Sequence, residues 1–356
     1  MSETATRSVN IEGRQVGPGH PVFIIAEAGV NHNGDPEMAR QLVHVAVAAG
    51  ADAVKFQTFR ADSVASAEAP KAEYQVETTG NAETQLEMLR RLELSPEAHR
   101  EIQAHCRRNQ IMFLSTPFDE AAADLLEELD VPAFKISSGD LTNLPLLEHI
   151  ARKGKPLILS TGMSNLDEVA DAVKAVRGAG CDQLVLLHCV TNYPAGAADI
   201  NLRAMRTMTE AFGVPVGYSD HTNGIEISLA AVALGACVIE KHFTLDRDLP
   251  GPDHRASLEP AELAAMVQGI RKIELALGDG RKVPTDAELK TAKVARRSLF
   301  AAENIPAGAK LTRQMISVKR PGTGLAPALT DSLVGRTARA NIVADTMLSR
   351  DMFEDD

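Results

Sequence analysis

PVGYSDHTNGIEISLAAVALGACVIEKHFTLDRDLPGPDH, residues 215–254, carries the alternation that decides the fold. An apolar run ends at Ser219-Asp220-His221, a helical stretch follows, and a second apolar run ends at Glu240-Lys241-His242. If two strands joined through a helix lie as parallel neighbours, His221 and His242 project from the same edge of one sheet. Two imidazoles there either hold a divalent ion with open water positions, or one bonds a loop while the other packs. Glu240 lies two residues before His242, on the same side of its strand and one layer deeper. It either orients a ligand from behind or pairs with Lys241 or Arg255 at the surface.

The same pattern extends upstream. After a hairpin-like start at residues 9–15, apolar runs of strand length occupy residues 22–29, 53–59, 111–118, 133–140, 156–163, 183–190, 215–222 and 237–244. Most are separated by amphipathic helical segments; the first opens on Asp35-Pro36, a cap followed by a first-turn proline, and closes on Gly50. Continuous apolar strands alternating with helices imply a covered parallel sheet. Eight repeats in about 250 residues fit a (β/α)8 barrel better than an open doubly wound sheet. The insertion at residues 60–94 exceeds an ordinary crossover and is expected to form a loop over the barrel mouth.

Nearly every run ends in functional side chains: Glu27, Lys55 with Gln57, Thr116, Lys135 with Ser138, Ser160, His188, then His221 and His242. Carboxyl-terminal strand ends build the active sites of such barrels, and a solvated surface does not explain one polar edge on eight strands. A lysine after an apolar run needs an anionic partner. Lys55 and Lys135 therefore face a phosphate or carboxylate ligand, or pair internally with Glu27 or Asp140. Thr116, Ser138 and Ser160 add hydroxyl donors. Glu27 is placed to act as a general base or to position water; Asn31, His32 and Asn33 suit a loop.

Beyond Gly278 the pattern changes. Residues 281–296 are polar and read as a linker after a barrel domain at 1–280. Residues 297–356 hold short, glycine- and proline-punctuated segments that suit a small mixed domain. The formal net charge of -11 argues against non-specific nucleic-acid binding, which needs a basic face. The four cysteines form no Cys-x-x-Cys pair, the first 21 residues have no apolar core, and the longest apolar stretch, residues 227–239, is too short to span a bilayer. A cytoplasmic protein with reduced thiols and no membrane contact is expected.

AEAGVNHNG, VKFQTF, FLSTPFD, FKISSGD, ILSTGMS, GYSDHT, EKHFTLD and GPDH, in this order, resemble the sialic acid synthase (nonulosonate synthase) family over essentially the whole chain. The resemblance implies an α/β (β/α)8 TIM barrel followed by a small C-terminal antifreeze-like (SAF, β-clip) domain, swapped onto the partner's barrel in a homodimer. It implies a metal-dependent condensation of phosphoenolpyruvate with an acylamino-hexose. Carried over by position, His221 and His242 look like ligands of a divalent ion, Mn2+ first, with Mg2+ or Co2+ as alternatives. Lys55, Thr116, Lys135, Ser138, Ser160 and Ser219 look like the phosphoenolpyruvate cradle, and Glu27 like the carboxylate that assists water. Gln57, Asn81, Tyr193 and Asp253 look like sugar contacts, Asn81 only across a one-residue gap. Arg320 looks like an arginine delivered by the partner's small domain.

Two positions depart from the family pattern. Asp140 stands where glutamate is usual, and Val190-Thr191-Asn192 replaces the Thr-Asn-Ile common among enzymes that use N-acetylmannosamine. The expected reaction from the family as a whole is N-acetylneuraminate synthesis from N-acetylmannosamine. The alternative is N,N'-diacetyllegionaminate synthesis from 2,4-diacetamido-2,4,6-trideoxymannose, which HCVTNYP and EKHFTLDRDLPGPDHRASLEP fit at least as well. A different metal-dependent phosphoenolpyruvate-condensing enzyme does not account for the C-terminal domain. An ice- or carbohydrate-binding module on an inert barrel does not account for the polar strand ends.

Overall fold

A computed structural model describes residues 7–354. Residues 1–6 of the stretch without an apolar core, and 355–356 of the expected small domain, lie outside the described part. The chain divides into two compact units, the first ending at Gly278 and the second beginning at Asp279.

The first unit opens with an antiparallel hairpin of β1 (Val9–Ile11) and β2 (Arg14–Val16). All eight expected runs then form strands: β3 (Phe23–Gly29), β4 (Ala53–Thr58), β5 (Met112–Pro117), β6 (Phe134–Ile136), β7 (Leu157–Ser160), β8 (Leu184–Cys189), β9 (Val216–Asp220) and β10 (Val238–His242). Their hydrogen-bonded order is β5-β4-β3-β10-β9-β8-β7-β6, parallel throughout. The two ends of that order, β5 and β6, pack beside each other. This is a TIM barrel with one seam that the hydrogen-bond ladder does not close.

Alternation along each strand builds two cores. Side chains such as Ile24, Val54, Phe134, Leu186 and Ile239 point outward and meet the helices in one large apolar layer. Phe23, Ile25, Leu114, Ile158, Val185, Leu187 and Val238 point inward and fill the amino-terminal half of the barrel. Val9, Ile11 and Val16 of the hairpin join this inner cluster and plug the bottom. The barrel narrows where Gly217 lies. A Cβ there would come within 2.5 Å of the Val238 carbonyl and 2.8 Å of Leu187, so the neighbouring strands leave room only for hydrogen.

The helix over Pro36–Ala49 starts and stops as its sequence dictates: the Asp35 side chain accepts from the Glu37 amide, and Gly50 closes it at φ 79°. The insertion after β4 is more ordered than a loop. It contains helices Ala61–Val64, Glu73–Thr79 and Gln85–Leu92. Thr84 and Glu87 cap the last of these reciprocally, and its Met88 and Leu92 pack on Val30 and Phe59 at the barrel mouth.

In the second unit, the stretch read as a linker holds a helix, Asp286–Ala295, with no buried residues. Strands β11 (Ser298–Ala301) and β12 (Ile316–Lys319) pair antiparallel, and isolated bridges such as Ile305 to Ile342 and Ala338 to Phe353 complete a small β-rich fold. Its core includes Leu299, Leu311, Leu348 and Phe353. Among the described residues no helix is long and apolar enough to cross a membrane.

The hairpin plug predicts a definite cost. Ile11 is fully buried, so Ile11→Ala should destabilise the protein by about 2–5 kcal/mol. Equilibrium denaturation checks this, and a change near zero would mean the barrel floor does not depend on the hairpin.

Candidate active site

The inward positions change character halfway up the barrel. Above Ile25 comes Glu27, above Ala53 comes Lys55, above Ala133 comes Lys135, and above Val238 comes Glu240, all almost inaccessible to solvent. Four charges in a barrel interior are tolerable only as a mutually satisfied set. Lys55 Nζ lies 2.7 Å from Glu27 Oε2 and 3.8 Å from Glu240 Oε2. Lys135 Nζ lies 3.4 Å from Glu240 Oε1. Lys55 also donates to Thr116 Oγ1 at 3.0 Å and Lys135 to Ser160 Oγ at 2.7 Å, while Ser219 Oγ donates to Glu240 Oε1 at 3.0 Å.

Two lysines and two carboxylates share this layer, and burial acts on each. Burial raises the Glu27 carboxyl to about 7; Lys55 pulls it down and Glu240 pushes it up. For Glu240 the pull of Lys135 and Lys55 outweighs burial, and its carboxyl stays below the usual range. Lys135 is lowered by burial against the attraction of Glu240. Lys55 is raised, because Glu240 and Glu27 together outweigh its burial. Lysine pairing inside the protein, one of the two possibilities open in the sequence, thus holds in this state, with Glu240 rather than Asp140 as the partner of Lys135. Asp140 instead accepts from Ser137 Oγ at 2.7 Å, outside the cavity wall.

Above this layer lies a cavity of about 310 Å³. His221 and His242 stand side by side on its wall, at the ends of neighbouring strands, with ring centroids 5.6 Å apart. Burial holds the His221 imidazole down at about 4 and that of His242 well below its usual value, so both rings are neutral near pH 7. The Nδ1 of His221 lies 2.7 Å from the Val190 carbonyl, so it carries the proton and leaves the Nε2 lone pair toward the Tyr193 hydroxyl at 3.0 Å. The Nδ1 of His242 is buried and has no hydrogen-bond partner among the described residues. Neutral imidazoles with lone pairs to give fit a borderline divalent ion. Among the described residues no group of three or more His, Cys, Asp or Glu side chains is arranged to hold one, so water or substrate would supply the remaining ligands.

The rest of the wall comes from loops. Tyr193 sits at a ring-centroid distance of 4.1 Å from His221 and stacks on Tyr74 of the insertion at 5.0 Å. Asp253 lines the same cavity, and burial raises its carboxyl to about 6. The Thr78 hydroxyl donates to the Pro252 carbonyl at 3.3 Å, tying the insertion to the loop that carries Asp253.

The structure brings Glu27, Lys55, Gln57, Thr116, Lys135, Ser138, Ser160, Tyr193, Ser219, His221, His242 and Asp253 to one cavity wall. Asn81 is not there: it is exposed, ahead of the helix Gln85–Leu92. Arg320 belongs to the second unit, exposed, with its Nε donating to the Ala295 carbonyl at 3.1 Å.

A family model described as the NeuB family matches residues 42–282, and one described as the SAF domain matches 296–354. The chain belongs to the NeuB family. It is 49% identical over 92% of its length to the N,N'-diacetyllegionaminic acid synthase of Campylobacter jejuni, covering 98% of that relative. To the synthase of the same name from Legionella pneumophila it is 49% identical over 92%, covering 93%. The human N-acetylneuraminate-9-phosphate synthase is 38% identical over 96% of the chain and 95% of its own. Among solved structures, the N-acetylneuraminic acid synthetase of Leptospira borgpetersenii superposes with a TM-score of 0.71 at 36% identity, over 80% of this chain and 95% of that one. The protein is thus an enzyme of the sialic acid-type (nonulosonate) synthases.

Two members of this NeuB site, Glu240 and Tyr74, do more than their sequence signals indicate. Glu240 was open between a second-layer role and a surface pair; it is neither with Lys241 nor with Arg255, but joins both lysines. Its position on the inward face was the available signal. Tyr74 was missed, since the helix Glu73–Thr79 buries no residue and shows no apolar stripe. Lys55→Met should cost about 3–5 kcal/mol, because Glu27 and Glu240 lose a buried cation. The double variant Lys55→Met/Glu27→Gln should recover part of that loss in equilibrium denaturation; additive losses would show that the charges do not form one network.

Proposed function

We propose that this protein condenses phosphoenolpyruvate with 2,4-diacetamido-2,4,6-trideoxymannose, giving N,N'-diacetyllegionaminate and phosphate. The observation that carries the reading is one cavity with two buried lysines on its floor and two neutral histidines at its rim. The choice of acceptor is supported by the two 49%-identical legionaminic acid synthases, which favour the alternative named from the sequence over N-acetylmannosamine. N-acetylneuraminate synthesis remains the second reading, supported by the similarity to the sialic acid synthetase structure.

Lys55 and Lys135 hold the donor's phosphate and carboxylate, with Thr116, Ser138, Ser160 and Ser219 donating hydrogen bonds. An anion arriving there exchanges with Glu27 and Glu240 as the lysines' partner, in a site already shielded from water. C3 of the donor forms the new bond to the aldehyde carbon of the open-chain sugar, and the aldehyde oxygen takes up a proton. A water molecule adds at C2, and the C2–O bond to phosphate then breaks as the new C2 hydroxyl loses its proton to the departing phosphate and becomes the ketone. Glu27 takes the proton of that water. Gln57, Tyr193 and Asp253 orient the sugar. His221 and His242 would hold the divalent ion, Mn2+ by preference, which when bound supplies Lewis acidity toward the acceptor carbonyl. Arg320 reaches the acylamino group from the small domain of a second copy in a domain-swapped homodimer.

Phosphate release with each acceptor tests the reading. The diacetamido sugar should show kcat/KM at least about a hundredfold above N-acetylmannosamine, since a site built for a second amide leaves groups unpaired without it. The reverse preference would return the acceptor to N-acetylmannosamine, and no phosphate release with either would overturn the condensation. The shared site has its own test, mixing Glu27→Gln with Arg320→Ala subunits. Swapping predicts recovery of about a quarter of wild-type activity, because half the dimers are mixed and each holds one intact site. No recovery after confirmed subunit exchange would place Arg320 on its own barrel.

A further inference from the structure

His221 and His242 each follow a charged residue that the cavity does not use. Asp220 and Lys241 point the other way, toward the helices, and both side chains are fully enclosed. They are direct cross-strand partners in the β9–β10 ladder, and Lys241 Nζ lies 3.0 Å from Asp220 Oδ2. The same carboxylate shapes the turn around His221. Its Oδ1 accepts from the Thr222 amide at 2.9 Å and from the Thr222 hydroxyl at 2.8 Å, and its Oδ2 accepts from Ser228 Oγ at 2.6 Å. Lys241 donates to the Thr222 carbonyl. Thr222, next in the chain after His221, is therefore held at its amide, its hydroxyl and its carbonyl by two residues, each adjacent to a histidine.

A fully buried ion pair adds little stability over apolar side chains of the same volume, so stability alone does not account for charge at this place. We propose that the Asp220–Lys241 pair is a positioning device: it locks the two strand ends in register and fixes the turn at Thr222, so that His221 and His242 keep the spacing of a shared divalent-ion site. This rests on the reading of the two histidines as ion ligands. The residues touch neither substrate nor ion; they act through the backbone of their neighbours, as outer partners do when they orient ligands.

Two ligands separate this from a general role in folding. In the full-length protein, Mn2+ affinity is measured from the paramagnetic resonance of the free ion, and phosphoenolpyruvate affinity by calorimetry in metal-free buffer. Lys241→Met and Thr222→Val should each raise the Mn2+ Kd by about 10–100-fold and leave the phosphoenolpyruvate Kd unchanged. Thr222→Ser, which keeps the hydroxyl, should restore the Mn2+ Kd. A folded variant of either kind with wild-type Mn2+ affinity overturns the proposal, and so does parallel weakening of both ligands. If Lys241→Met does not fold, the contrast between Thr222→Val and Thr222→Ser decides. Wild-type protein that binds no divalent ion would remove the ion reading itself, and this inference with it. A selective effect that is absent while wild type binds Mn2+ would remove only the positioning role.

Discussion

Everything at the mouth of this barrel depends on the neutralisation of Lys55 and Lys135 by Glu27 and Glu240. The two lysines cannot stay charged among apolar strands without partners, and the two carboxylates cannot stay ionised without the lysines. Because the four groups are distributed over β3, β4, β6 and β10, satisfying them constrains how distant parts of the sheet sit around one axis. The lower half of the interior has no such requirement and is filled by Ile25, Leu114, Ile158 and Val238 instead. The barrel thus changes from packing by volume to packing by charge within one or two residues along each strand.

That change also bears on how a site of net charge near zero would serve the anionic donor proposed for it. Without ligand, each lysine already has a carboxylate within 4 Å, which keeps the folded protein from holding two bare buried cations. The proposed donor, bearing phosphate and carboxylate, would offer the same geometry from the open side, so its binding would exchange partners instead of stripping water from lysine. Glu27, raised toward neutrality by burial, is the weaker of the two internal partners to keep ionised, and it stands next to the lysine that the ligand would take over.

How much of this could be read beforehand follows the same division between strand and loop. The eight strands were legible because each is a continuous apolar run ending in polar residues, and alternation then put Lys55, Lys135, His221 and His242 on the inward side. What alternation does not give is which inward residues meet across the barrel. Glu240 pairs with lysines from β4 and β6, and that contact depends on the stagger of the strands, not on spacing in sequence. Tyr74 carried no signal, because it stands on a short helix that buries no residue fully and reaches the cavity through its stack on another tyrosine. Asn81 rested on a gapped match in the insertion, where small shifts in length move a residue off the wall entirely, and it lies exposed.

The donor side and the acceptor side of the cavity are built from different material, and this bears on how one family comes to act on several sugars. The lysines and most of the hydroxyls proposed for the donor stand on strands, fixed by ladders of hydrogen bonds, with Ser138 just past the end of β6. Tyr74, Thr191, Tyr193 and Asp253 stand on connections beyond β4, β8 and β10, held by a stack and a few single bonds such as that from Thr78 to Pro252. Connections tolerate substitution and changes in length far better than barrel strands do. The two places where this chain departs from the pattern of N-acetylmannosamine enzymes, Asp140 and Val190-Thr191-Asn192, both lie just past strand ends. Under the proposed function a change of acceptor falls on such connections, while the charge network proposed to hold the donor stays in place beneath them.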